Sequence, residues 1–166
     1  MLYEKLRYQP NKKSQLLIIG GMAFMVYALF KVINVYRYTN QSTAGIIAPT
    51  LSLGIEILIA IFVMLLSFLL SEKFKSYDAK WNKVGFILAI YSFVKIFIFP
   101  IIVYNKFNEL IDEGQTIKYN PKSWLIIVIV CLVISSILFL VGTIINVIKS
   151  KQLKKYFEEL DSSNAK

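Results

Sequence analysis

Four long apolar blocks limit what this chain can become. They run from about Gln15 to Tyr36, from about Ile46 to Leu70, from about Val84 to Tyr104 and from about Ser123 to Ile148. Each is long enough for a helix to cross a hydrocarbon core of roughly 30 Å, which takes about 20 residues. The blocks are too long for barrel strands and show no alternation of apolar and polar residues. Backbone groups in lipid must bond within their own segment, so all four blocks are expected to be helices. What remains is divided among two tails and three connections, with no room for a separate soluble domain. The sequence therefore predicts one membrane domain over residues 1–166, an all-α bundle of four transmembrane helices.

The basic residues orient the bundle. Thirteen of the 19 lysines and arginines fall in the N-terminal tail, the loop between the second and third blocks, and the C-terminal tail. Four (Arg37, Lys106, Lys118 and Lys122) fall in the other two connections, and the remaining two, Lys31 and Lys95, lie inside blocks. Positive residues favour the cytoplasmic side, which predicts an integral, multi-pass protein of the cell membrane with both termini in the cytoplasm. The net charge of +9 is thus read as topology and not as a nucleic-acid surface. The first block follows Lys12 and Lys13 as a signal peptide would. It is longer than a typical signal core and has no clear small-residue cleavage site after it, so an uncleaved span is expected. Tyr36, Tyr38, Tyr104 and Trp124 near the outer boundary, and Trp81 near the inner one, suit the headgroup layer.

The tails and the outer loop read as follows. The C-terminal tail is expected to continue the fourth span as a cytoplasmic helix over about 149–161. Leu153, Tyr156, Phe157 and Leu160 share one face of it, and Lys154 and Lys155 are placed to meet Glu158 and Glu159. Leu2, Tyr3 and Leu6 form a smaller amphipathic segment before Pro10. Such tails can lie on an anionic leaflet or dock on a partner. The outer loop, Asn105 to Lys122, reads as a solvated connection with a possible short helix over Phe107 to Asp112; its three acids are too few to argue a divalent-cation site.

Three ionisable residues fall within the blocks: Lys31, Glu56 and Lys95. A charge at mid-membrane costs about 2.5–3.5 kcal/mol on insertion scales. Lys31 is near the outer end of its span and can reach the headgroups. Glu56 and Lys95 each lie about nine residues from the outer end of their spans, so both sit about 13 Å deep and can pair. Glu56 falls on a stripe with Ser52, Ala60, Val63 and Ser67, and Lys95 lies at the edge of a stripe of Gly85, Ala89 and Ser92. The fourth span carries Cys131, Ser135, Gly142 and Asn146, and the first offers Gly21 and Ala28. Small residues let membrane helices approach closely, so these stripes are the expected packing faces. Glu56 then serves either as a partner of Lys95 or as a contact to another chain. Pro100 is expected to kink the third span, whereas Pro49 is near the start of the second and costs little.

Chemistry is sparse. There is no histidine, which excludes a histidine base or relay, and the single cysteine excludes an intrachain disulfide. No phosphate loop, metal-ligand spacing or nucleophile with a base is present, so no catalytic, metal or cofactor residues are assigned and no enzyme is expected. A lipid-acting enzyme would need polar residues clustered at one interface, and Glu72 and Asp78 of the inner loop suit ordinary solvation. The expectation is a non-enzymatic accessory or scaffold subunit of a larger membrane complex, with a transporter as the candidate complex. The alternative is a small homo-oligomeric transporter or channel that uses Glu56.

Overall fold

A computed structural model describes residues 9–39, 51–112 and 121–164. Lys5, Arg7, Pro49, the amphipathic segment at Leu2 to Leu6, and the loop over 113–120 lie outside the described residues, as do the side chains of Arg37 and Ser52.

Among the described residues four helices follow one another: α1 (Lys12–Thr39), α2 (Leu51–Lys75), α3 (Asn82–Asp112) and α4 (Pro121–Asn164), with a 3-10 turn over Ala79–Trp81 before α3. Each is long and apolar enough to cross a membrane, and there is no strand among the described residues. Pro10 cannot continue a helix backwards, and α1 starts just after it. The carbonyl of Asn11 accepts the first helical bond, from the Gln15 N–H at 3.1 Å. At the end of α2, Tyr77 takes a left-handed φ of 60°. The Tyr77 N–H bonds to the Phe74 carbonyl and the Asp78 N–H to the Lys73 carbonyl, both at 3.1 Å, which closes the helix with a Schellman motif. Asp78 then caps the 3-10 turn by accepting from the Lys80 N–H at 3.0 Å. The segment Phe107 to Asp112 is the end of α3, not a separate helix, and Pro100 lies inside that helix. α4 runs unbroken from its apolar stretch into its charged tail, where Lys154–Glu158 and Lys155–Glu159 form exposed ion pairs at 3.7 and 3.9 Å.

α4 is the hub of the packing. α1 and α3 lie mainly against it, α2 leans chiefly on α1, and α2 and α3 touch little. The described bundle is therefore closed on the α1–α4–α3 side and open between α2 and α3. The apolar stretch of α2 is also the least buried, at 22%, against 33% for α3 and α4 and 39% for α1. Leu58, Phe62 and Leu65 of α2 are among its exposed apolar residues. In lipid such exposure carries no penalty, because hydrocarbon is as apolar as the side chains.

Candidate functional site

The bundle's two intramembrane charges of opposite sign meet across its open side. Lys95 Nζ lies 2.7 Å from both carboxylate oxygens of Glu56. Helical phase brings them there: Glu56 lies on the α2 face that also carries Ala60 and the buried Val63 and Ser67, while Lys95 follows Leu88 and Ser92 along the buried face of α3. The Lys95 side chain is 7% exposed and that of Glu56 19%. The ammonium also sits over the rings of Tyr91, at 5.4 Å, and Phe99, at 4.9 Å, whose faces attract a cation. Met25, Leu29, Ala60 and both rings line the space around the pair, which is a cavity of about 10 Å³. That is room for about one water molecule. The arrangement neutralises both charges within the chain. It also joins two helices that share little other contact.

The packing residues named from sequence fall into two groups. Gly85, Ala89, Ser92, Cys131, Ser135 and Gly142 are buried where α3, α4 and α1 meet. There the Ser92 hydroxyl bonds to the Ser135 hydroxyl at 2.9 Å, and Ser135 in turn donates to the Gly21 carbonyl at 2.7 Å. Ser136 donates to the Ala89 carbonyl at 3.1 Å, and Ser14 to the Gly142 carbonyl. These serines tie three helices through backbone carbonyls. The α2 members behave differently: Ser67 donates to the Val63 carbonyl of its own helix at 2.8 Å, and Ala60 is only half-buried.

Lys31 lies over the rings of Tyr27 and Trp124, at 5.4 and 4.9 Å, and the Trp124 indole N–H donates to the Lys31 carbonyl at 2.9 Å.

The end of the bundle nearest the chain termini carries a polar clamp. The start of α1, the α2–α3 turn and α4 converge there. Asn11 and Asn146 are fully buried. The Asn11 amide donates to Asn146 Oδ1 at 3.2 Å, and the Asn146 amide donates to Asn82 Oδ1 at 2.8 Å and to the Asp78 carbonyl at 3.3 Å. Lys149 donates to Asn11 Oδ1 at 3.1 Å, and the Asn11 N–H to the Lys75 carbonyl at 3.0 Å. The Tyr77 hydroxyl donates to the Gln9 carbonyl at 2.8 Å, and burial pushes this phenol above its ordinary pKa. Among the described residues no buried side-chain polar atom lacks a partner. The sequence marks Asn146 as a polar residue of the fourth span but not Asn11, Tyr77 or Thr143. Asn11 stands where a helix cap is expected, after Pro10, and that signal points to α1 alone. Its role is tertiary because its side chain reaches α4 instead of its own helix. Among the described residues no group of three or more His, Cys, Asp and Glu side chains could hold a metal ion, and Cys131 is buried within α4. The chain matches no protein-family model, no curated protein and no solved structure.

Proposed function

We propose that this chain is a non-enzymatic accessory subunit of a larger membrane complex, with both termini in the cytoplasm and a transporter as the candidate complex. The observation that carries this reading is the uneven packing of the bundle. α2 leans on α1, comes close to α3 at few points, and has the smallest buried share of the four spans, 22%. A helix held on one side by its own bundle offers the other side to a neighbouring span. Membrane helices associate by close packing and hydrogen bonds, so an exposed span needs no polar surface to serve as an interface. The internal pairing of Glu56 with Lys95 also fits a structural part: a charge already bonded at 2.7 Å has little left to offer a passing ion.

Affinity purification of the full chain in mild detergent tests the proposal. The expected result is a second membrane protein in the eluate, crosslinked through positions such as Leu58 or Phe62. A chain that runs alone as a monomer overturns it.

A homo-oligomeric transporter or channel is the second reading, favoured by the residual exposure of Glu56, 19%. Flux in liposomes should then fall with Glu56→Gln. Unchanged flux, or none from the wild type, removes that reading.

A further inference from the structure

A basic pocket opens at the terminal end of the bundle, on the solvent side of the polar clamp. Lys12 and Lys13 from the first turn of α1, Lys149 from α4, and Tyr77, Pro10 and Gln9 line a cavity of about 350 Å³. No carboxylate is among its lining residues. Lys12 and Lys13 are exposed, and among the described residues neither has an ion-pair partner. Lys12, Lys13 and Lys149 thus bring three ammonium groups to one pocket that no carboxylate lines. Lys149 is held in place by Asn11 Oδ1 and by the Tyr77 ring, 5.9 Å from the ammonium. Tyr77 holds its ring there at a left-handed φ that favours glycine, and its hydroxyl fixes the chain at Gln9.

We propose that this pocket binds a phosphate group at the membrane surface. The chemistry is a phosphate oxyanion received by three ammonium groups from two helices, beside a tyrosine and a proline that form an apolar wall. The site lies where the apolar stretches of α1 and α4 give way to charge, at the level of lipid headgroups. Basic pockets between membrane helices are suited to anionic headgroups for this reason. The phosphate can be carried by an anionic lipid or by a soluble phosphoester, and the two are distinguishable. The inference rests on the membrane reading of the four helices and is independent of the accessory-subunit proposal.

The test uses the purified full-length chain in nanodiscs. In one arm, nanodiscs of phosphatidylcholine are titrated with a fluorescent phosphatidic acid. In the other, inositol hexakisphosphate is titrated onto phosphatidylcholine nanodiscs. The double variant Lys12→Gln/Lys13→Gln changes exposed residues and should still fold; it is expected to weaken binding by about tenfold or more. Lys149→Gln should do the same, but it also breaks the bond to Asn11. The charge-matched control Lys154→Gln/Lys155→Gln, on the exposed tail of α4, should change binding less than about twofold. A pocket-dependent response in the lipid arm assigns a headgroup; the same response only in the soluble arm assigns a free phosphoester. Equal losses from the pocket and control pairs, or no binding in either arm, overturn the proposal, because the attraction would then be diffuse or absent.

Discussion

The side of the bundle where α1, α4 and α3 meet and the side between α2 and α3 solve the same problem in different ways. Helices in lipid gain nothing by hiding apolar surface from one another, so they must associate through shape and polar contacts. On the closed side, glycines and serines bring backbones close enough for Ser135 to reach the Gly21 carbonyl and Ser14 the Gly142 carbonyl. Many weak contacts sum along the seam, and no single one is decisive. Between α2 and α3, whose backbones seldom come close, one ion pair enclosed by Met25, Leu29, Tyr91 and Phe99 makes the polar link. Close approach spreads stability over a seam, whereas charge concentrates it at a point.

The ion pair carries the largest prediction. Lys95→Met leaves the Glu56 carboxylate in the groove without its partner. It should cost about 3 kcal/mol of stability, and the double variant Glu56→Leu/Lys95→Met should recover most of that loss. Unfolding in bicelles through a double-mutant cycle measures it. A coupling near zero would mean that the pair does not hold α2 to α3. The charge-swapped double, Glu56→Lys/Lys95→Glu, sharpens the point: it should be more stable than either single swap if the two residues serve each other.

Glycine substitutions probe the contrast at the next scale. A methyl group on Gly85 would overlap the Thr143 side chain and meet Phe74 Cζ at 3.0 Å, whereas one on Gly54 would find nothing within 4 Å. Gly85→Ala should therefore lose about 1–3 kcal/mol, and Thr143→Ala in the same chain should restore part of it. Gly54→Ala should be neutral or gain up to about 1 kcal/mol, since alanine favours a helix. Thermal unfolding of both variants in one detergent decides this. Equal effects at the two sites would erase the distinction between the closed and open sides.

The smallest effect concerns the clamp. Burial holds the Tyr77 phenol neutral beyond its ordinary pKa of 10.0. Its folded pKa is therefore above its unfolded one. The corresponding stability is full below pH 10 and is lost as pH rises through the folded value. Tyr77→Phe removes the bond to Gln9 and should cost about 1 kcal/mol near neutral pH. That difference should shrink in unfolding curves taken at increasingly alkaline pH. A difference that stays constant would show that the hydroxyl carries none of it.

Several features were legible in the residues. Apolar length marks the four helices. Glu56 and Lys95 fall at matching distances along their apolar blocks, and the two side chains meet; the small residues of α3 and α4 lie where those helices pack. Other features had no local signal. Asn11 looks like a cap and acts as a bridge to Asn146. Tyr77 occupies a left-handed position that composition would assign to glycine. The stripe on α2 resembles those on α3 and α4, yet it belongs to the least covered helix.

The sequence by itself thus determined the helices and where each charge falls along them, because both follow from apolar length and a fixed rise per residue. Only the tertiary structure decided which helices pack and which stand apart, and which polar ends converge. Those outcomes depend on helix rotation and on the neighbours each face meets, and a stripe on one helix does not specify its partner.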